Sequence, residues 1–343
     1  MNFTKYNILP SELRSHVISY NDFETLENYA YCSKLCNQEV QKTHIHFPRE
    51  IKLEEVENTG ILVTLNYSAP RRMSCRVMYL TVNGNQHKMG ESSTFLYDGD
   101  ALQAATEYVK NRLKYARVGE SFHLTINMKI WPTGFSEIPE IQISRDWTIT
   151  IYESMYQRFY ETITEHPIQV TILRFRKPNY NSDPFRIPAQ FFQTSFFQNL
   201  SKFVCFFPLP ELSVDSFLAM KSRAIDINLS SLPYSAINQK IQQWFASPPE
   251  TQPAYSFRGI LDIRSGFYER NVILIRARNE ILQNLPIQPS DDLSSSRVWL
   301  KHKSGVKAYI DFQWNRITFR VDVGSWWNWK RNQPSGSGGV KRS

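Results

Sequence analysis

Segments typical of β-strands alternate with helical segments through the second half of the chain, and this alternation restricts the possible folds more than any other feature. Strands are predicted at 170–175, 203–207, 224–229 and 257–263, and a helix at 235–245 lies between the last two. Strands that alternate with helices usually build a sheet with helices packed against it. The sequence therefore predicts a curved or layered sheet with one exposed face.

The spacing of these strands is irregular. Their central residues Val170, Val204, Ile225 and Ile260 stand at unequal intervals along the chain. Leucine-rich repeats have periods of ~20–29 residues, which only the middle interval, from Val204 to Ile225, matches. The asparagine ladder of that family is also missing. We therefore predict an irregular strand-helix alternation that is leucine-rich-repeat-like without being a regular repeat.

The flanking segments add further strands and one well-marked helix. Asp100 and Gln103 form an Asp-x-x-Gln start, a variant of the capping box, and apolar residues recur at helical spacing over 101–116. The other predicted strands are 61–67, 76–82, 123–130, 298–302, 308–312 and 316–323. The expected fold class of the whole chain is α+β.

The N-terminal segment 9–43 predicts three short helices, which define a helical module over residues 1–46. Pro10 stands early in the first helix, where its missing N–H costs little, and Asp22 can cap the second. A helical piece of ~45 residues is too small for a stable core of its own. Some of its large apolar side chains must therefore face a partner or the next domain. These side chains are Leu9, Pro10, Leu13, Val17, Ile18, Phe23 and Leu26.

Three segments follow this module. Residues 47–58 are predicted to be a connector, because Pro48 breaks regular structure and the following residues are of mixed charge. Residues 59–331 are predicted to form one mixed α/β partner-binding domain. Residues 332–343 are rich in glycine and serine and are predicted to be a disordered basic tail.

A tryptophan cluster precedes the tail. Trp326, Trp327 and Trp329 are followed by Lys330 and Arg331. Tryptophan and arginine are frequent anchors of protein interfaces, so the three tryptophans are candidate partner-binding residues. Two other interpretations are a last strand whose tryptophans close the core, and stacking on single-stranded nucleic acid.

Two groups of short motifs occur in a recognisable order. The first group comprises Ile8-Leu9-Pro10-x-Glu12-Leu13, Val17-Ile18-x-Tyr20-x-Asp22-Phe23-x-Thr25-Leu26 and Ala30-x-Cys32-Ser33-Lys34-x-Cys36-Asn37. It resembles the F-box. The second group comprises Asp100-Ala101-Leu102-x-Ala104-Ala105-x-x-Tyr108, Gln242-Gln243-Trp244 and Lys303-Ser304-Gly305-x-Lys307-Ala308. It resembles the F-box-associated domain of the large nematode-expanded F-box family.

This resemblance implies the substrate-recognition subunit of a cullin-type, SCF-like ubiquitin ligase. The F-box-like module would dock on a Skp-type adaptor, which joins it to the cullin scaffold, and the domain over 59–331 would hold a target protein. The alternatives are a helical cap that packs on its own C-terminal domain, an adaptor or structural protein without a ligase role, and a basic nucleic-acid-binding protein. The net charge of +8 suggests the last, but the surplus is spread along the chain.

Motifs of known enzymes are missing from the sequence, which predicts neither an enzyme nor a cofactor. Cys32 and Cys36, followed by His44 and His46, form one metal-like pattern. Cysteines at this helical spacing are more often core residues, so no metal site is predicted. The lack of a secretory signal or a long apolar run predicts a cytoplasmic or nuclear protein with reduced thiols.

Overall fold

The computed structural model describes residues 10, 12–14, 36, 48–56, 60–67, 74–82, 85–89, 94–96, 99–113, 122–132, 134–138, 141, 145–165, 170–178, 185–247, 256–260, 267–287, 296–313 and 315–322. The chain forms two compact units, Met1–Phe185 and Arg186–Ser343. The prediction of a single domain over 59–331 therefore differs from the structure. The segment 178–184, just before the boundary, is rich in proline, asparagine, serine and aspartate, which is the composition of a linker.

The N-terminal unit contains a mixed sheet and two long helices. Its sheet order is β8-β7-β6-β1-β2-β3-β4-β5, with parallel pairing from β8 to β1 and antiparallel pairing from β1 to β5. The elements are β1 (Pro48–Val56), β2 (Gly60–Tyr67), β3 (Ser74–Val82), β4 (Asn85–Met89), β5 (Thr94–Leu96), α1 (Ala101–Leu113), β6 (His123–Asn127), a 3-10 turn (Phe135–Glu137), β7 (Asp146–Thr150), α2 (Glu153–Glu165) and β8 (Ile172–Arg176).

The two helices cover one face of this sheet. Tyr108 on α1 meets Tyr79 on β3 at a ring-centroid distance of 6.3 Å, and Phe159 on α2 meets Phe175 on β8 at 6.0 Å. The predicted capping of α1 is confirmed, since the N–H of Gln103 donates to Asp100 Oδ2 over 3.0 Å. The buried face of the sheet carries Ile51, Leu53, Val63, Leu65, Leu124, Ile126, Trp147, Ile149 and Leu173.

The prediction of a connector over 47–58 is wrong for the residues that form β1. This strand pairs with β2 on one side and with β6 on the other. Ile51 and Leu53 are fully buried, while Lys52 and Glu54 alternate with them on the opposite face. The mixed charge of this segment is thus the polar half of a strand alternation. Pro48 stands at the first strand position, where the sheet tolerates proline.

The C-terminal unit also contains strands of mixed pairing with helices between them. Strands β9, β10 and β11 are parallel, and β14, β13 and β12 extend the sheet from β11 with antiparallel pairing. The elements are α3 (Ala189–Gln193), α4 (Ser195–Gln198), β9 (Lys202–Cys205), α5 (Val214–Ala219), β10 (Ala224–Asn228), α6 (Tyr234–Ala246), β11 (Ser256–Ile260), α7 (Phe267–Leu282), β12 (Arg297–Lys301), β13 (Lys307–Gln313) and β14 (Arg316–Val321).

Both units are mixed α+β, as the sequence predicts, and in each of them some neighbouring strands pair in parallel. In the N-terminal unit, β6 pairs in parallel with β7, and β7 pairs in parallel with β8, with α2 between the last two. In the C-terminal unit, β9 pairs with β10 across the short α5, and β10 pairs with β11 across the longer α6. Parallel neighbours joined by connections of unequal length form a stack of strand-helix pairs without a fixed repeat.

One buried asparagine joins the ends of two neighbouring strands, although a single residue is not the repeated ladder of leucine-rich repeats. Asn228 is buried at the end of β10, and its Nδ2 donates to the carbonyl oxygen of Phe206 over 3.3 Å. Its Oδ1 accepts from the N–H of Ser230 over 2.8 Å. The side chain therefore links the ends of β9 and β10. A single residue without a repeat leaves no periodic signal in the sequence.

Candidate functional site

Two of the predicted adaptor-binding residues fall within the described ranges. Pro10 and Leu13 are exposed, Leu13 to 51%, and the N–H of Arg14 donates to the carbonyl oxygen of Pro10 over 3.0 Å. The other candidates lie outside the described residues, as does most of the predicted three-helix module. These candidates are Leu9, Val17, Ile18, Phe23 and Leu26, and the same holds for the partner-binding candidates Trp326, Trp327 and Trp329.

Within the part of the chain that the structure describes, helices cover one face of the strands of the C-terminal unit and leave the other face without a helix. Phe217 on α5 meets Phe257 on β11 at 5.9 Å, and Trp244 on α6 meets Phe319 on β14 at 5.4 Å. The helices therefore cover the face of Phe257 and Phe319. We call the opposite face the C-terminal open face. It carries Lys202, Val204, Phe206, Ala224, Asp226, Asn228, Ser256, Arg258, Ile260, Arg297, Trp299, Lys301, Lys307, Tyr309, Asp311, Gln313, Arg316, Thr318 and Arg320.

A charged row crosses the C-terminal open face. Arg258 donates to Asp226 through Nε and Nη2, at 2.9 and 2.8 Å from the two carboxylate oxygens. At the other end of the row, Arg297 Nη2 lies 3.3 Å from Asp311 Oδ2, which also accepts from Gln313 Nε2 over 3.0 Å. Both carboxylates are therefore satisfied by neighbouring side chains, and their arginines are held in place.

The same two arginines lie over aromatic rings. The guanidinium of Arg258 is 5.7 Å from the ring centroid of Phe206, and that of Arg297 is 4.5 Å from that of Tyr309. Phe206 is 49% exposed, although it is a large apolar side chain. Trp299 packs beside Tyr309 at 5.3 Å. Exposed aromatic and arginine side chains on a rigid sheet are the residue types that anchor protein interfaces.

The C-terminal open face is strongly cationic. Its strands place seven cations on it, Lys202, Arg258, Arg297, Lys301, Lys307, Arg316 and Arg320, against the two carboxylates of Asp226 and Asp311. Asp322 lies opposite Lys307, just beyond β14, and adds a third carboxylate. The cations still outnumber the carboxylates on this face. The sequence predicts a diffuse charge surplus, but strand pairing concentrates a large part of it on one face.

A histidine cluster lies on the polar face of the N-terminal unit. His123 Nε2 is 2.8 Å from Thr148 Oγ1, and its Nδ1 is 3.8 Å from Asp146 Oδ2. Burial lowers the pKa of His123, and the nearby Asp146 carboxylate partly opposes this effect. Asp146 also forms an ion pair with Arg174. The sequence does not reveal this cluster, because its members come from three separate strands.

The arrangement of Thr148, His123 and Asp146 has the residue types of a hydroxyl nucleophile with its base and orienting acid. Thr148 is only 1% exposed, so a substrate has no access to its hydroxyl group. Asp146 is held by Arg174 rather than by the histidine alone. The cluster therefore fits a role in cross-strand stabilisation.

Two motifs that carry the F-box-family resemblance meet in the structure. His302 precedes the Lys303–Ala308 motif, and its Nε2 donates to the carbonyl oxygen of Phe245 over 3.0 Å. Its Nδ1 accepts from the N–H of Ser304 over 3.1 Å, so the proton is on Nε2. The His302 ring also packs against Trp244 at 5.3 Å. The His302 contacts hold the end of α6 against the turn between β12 and β13. The two motifs therefore have a structural role.

Two cysteines with different environments test the predicted thiol chemistry. Cys205 is fully buried, and this burial raises the pKa of its thiol, whereas Cys36 is half-buried. We expect iodoacetamide to modify Cys36 at least about tenfold faster than Cys205 in the folded protein, because the thiolate is the reactive form. Peptide mass spectrometry measures both rates, and equal rates in urea are the control. Equal rates in the folded protein would contradict the buried placement of Cys205.

The described residues offer no candidate metal site. Where the structure describes the chain, no group of three or more histidine, cysteine or acidic residues is placed to hold a metal ion. Cys32, His44 and His46 of the metal-like pattern lie outside that part. None of the described helices has the length and apolar character needed to cross a membrane.

Comparison of the chain with protein-family models, with curated proteins and with solved structures gave no match. The resemblance to F-box proteins therefore rests on the motifs quoted above.

Proposed function

We propose that this protein is the substrate receptor of a cullin-type ubiquitin ligase, with an adaptor-binding module at its N-terminus and a target-binding sheet in its C-terminal unit. The observation that carries the proposal is the C-terminal open face. Helices pack on the opposite face of the same sheet and support it. Its outward side chains combine Arg258, Arg297, Trp299 and Phe206, which are suited to hold a protein surface.

The adaptor-binding part of the proposal is supported by the apolar side chains that the sequence carries between Leu9 and Leu26. Leu13 is a large apolar side chain that the protein leaves half exposed, next to the exposed Pro10. Exposed apolar residues that cluster in one short segment mark an interface. The F-box-like order of the motifs around them identifies a Skp-type adaptor as the proposed partner.

Adaptor binding by the full chain tests this proposal. We expect Leu9→Ala, Pro10→Ala and Leu13→Ala combined to weaken binding of a purified Skp-type adaptor at least about tenfold, since large side chains at an interface centre can contribute ~2 kcal/mol each. Ile130→Ala is the matched control, because Ile130 is 60% exposed on the N-terminal unit but lies outside the proposed module. Calorimetry measures both affinities. Wild-type affinity in the folded triple variant would refute the docking role.

A second candidate function is nucleic-acid binding, which the cation excess on the C-terminal open face favours. Salt and nuclease distinguish the two functions when material bound to the full chain is recovered from a cell extract. Binding through six to ten phosphates loses roughly 10³–10⁵ in affinity between about 50 and 200 mM salt. Protein partners that survive nuclease and this change in salt support the receptor. Loss of all bound material to nuclease would support the nucleic-acid function instead.

A further inference from the structure

We propose that the C-terminal open face binds an extended acidic polypeptide segment across its strands, with two carboxylates four residues apart. This inference rests on the proposed receptor function, because the bound peptide is a target only if the protein is a substrate receptor. It rests on a second row of side chains, next to the charged row of Asp226 and Arg258. We call it the cationic row, and it comprises Lys202, Ala224, Ser256, Arg320, Tyr309 and Trp299.

Strand pairing places these six residues side by side. Lys202 is opposite Ala224, which is opposite Ser256. Ser256 is opposite Arg320, which is opposite Tyr309. Tyr309 is opposite Trp299 at the far end of the row. Two short side chains thus form a shallow floor between two cations, and an aromatic pair stands beyond the second cation.

The two cations of this row lack the acidic partners that their neighbours have. Asp226 and Asp311 are engaged by Arg258 and Arg297 in the adjacent row. No carboxylate of the described residues forms an ion pair with Lys202 or Arg320. A partner that places one carboxylate beside each of these two cations would therefore pair both charges. Such pairing of opposite charges across an interface is electrostatic complementarity.

The spacing of the cations selects an extended peptide. Lys202 on β9 and Arg320 on β14 are three strand positions apart, and neighbouring strands are about 4.8 Å apart, so their backbones are about 14 Å apart. In an extended segment, residues i and i+4 point to the same side and are separated by about 13–14 Å. Two acidic residues at i and i+4 would therefore reach both cations, with the segment lying over Ala224 and Ser256.

Two features disfavour a nucleic acid on this row. Single strands bind to continuous cationic tracks beside aromatic rings that are available for stacking. The middle of the cationic row is instead formed by Ala224 and Ser256. The rings of Phe206 and Tyr309 already stack with the guanidinium groups of Arg258 and Arg297, which occupy positions a base would take.

The test uses the full chain and fluorescein-labelled peptides built from serine and threonine, measured by fluorescence anisotropy at low ionic strength. One peptide carries two glutamates at i and i+4, a second carries them at i and i+1, and a third has glutamines in their place. We expect the i, i+4 peptide to bind at least about tenfold more tightly than the other two. Equal affinity for the two glutamate peptides would overturn the proposal.

Variants locate the peptide on the cationic row. Lys202→Gln with Arg320→Gln should abolish the preference for the i, i+4 peptide. The control is Arg186→Gln with Lys221→Gln, which removes the same charge from exposed positions outside the sheet and should leave the preference unchanged. Equal losses in both double variants would show diffuse charge attraction and overturn the proposal. If the first double variant does not fold, the wild-type peptide series decides.

A labelled oligothymidylate distinguishes the rival ligand. Tighter binding of this oligonucleotide than of the i, i+4 peptide, lost in the Lys202 and Arg320 variant, would make the row a nucleic-acid site and overturn the polypeptide assignment. The peptide test is independent of the adaptor test, since the two use different residues. If only the adaptor-binding test fails, the proposed ligase role is wrong. If only the peptide test fails, the proposed acidic target is wrong and the ligase role is unaffected.

Discussion

Replacing Phe197 with alanine should destabilise the C-terminal unit by about 3–5 kcal/mol, which is the usual cost of deleting a fully buried aromatic side chain. Phe197 is 0% exposed on α4. Its ring contacts those of Phe203, Phe192 and Phe191 at 5.0, 5.1 and 5.4 Å. Alanine would leave a cavity among three rings that cannot all collapse into it. The free energy of unfolding from urea denaturation measures the loss.

The neighbouring phenylalanine provides a matched control. Phe196 is only half-buried, and its ring is 6.4 Å from that of Phe191. Phe196→Ala should therefore cost no more than about half as much as Phe197→Ala, because less apolar surface returns to water. Equal losses in the two variants would contradict the placement of Phe197 in the core. The dependence of unfolding on urea concentration should stay unchanged in both variants if stability alone is altered.

The free energy of unfolding should increase with pH because the side chain of Lys240 is buried. Its ammonium group is buried on α6, where Nζ donates to the carbonyl oxygens of Leu218 and Met220 over 2.8 and 2.6 Å. Burial lowers the pKa of Lys240 to about 8, from 10.5 for an exposed lysine. Between these values the unfolded chain binds more protons than the folded one, so the free energy of unfolding increases with pH.

The expected contribution is about 2–3 kcal/mol between pH 7 and pH 10, since each pKa unit corresponds to about 1.4 kcal/mol. It is measured as the difference in unfolding free energy between wild type and Lys240→Met, which cancels the titration of groups that both proteins share. Such groups include Tyr156, whose pKa burial raises to about 12. Lys221→Met, at an exposed site, is the control and should show no change in this difference. A difference that stays flat or falls with pH would refute the prediction.

Strand and helix identity in the C-terminal unit could be predicted from local pattern. The strands predicted at 203–207 and 224–229 correspond to β9 and β10, and the helix predicted at 235–245 corresponds to α6. The segment 224–229 alternates apolar and polar residues and 235–245 has apolar residues at helical spacing, whereas 203–207 is a short apolar run. The sequence also predicts a sheet with one exposed face, and the structure places arginine and aromatic side chains on the C-terminal open face.

Local pattern is misleading where tertiary contacts set the burial. The sequence does not predict α7, because the run Val272–Ile275 is uniformly apolar, and in the structure Val272 and Ile275 are exposed on that helix. The sequence predicts a connector at β1 because the polar half of that strand, which includes Lys52 and Glu54, obscures its buried half. In both cases the side of the element that faces the core is not evident from the sequence.

The sequence by itself determined the α+β class and the positions of most strands and of α6 in the C-terminal unit. Only the tertiary structure decided which side chains share a surface. Lys202 and Arg320 are far apart along the chain, and successive strand pairings bring them, Tyr309 and Trp299 into one row. The reason is physical, because a shift of one residue in any of these registers would send a whole strand's side chains to the opposite face.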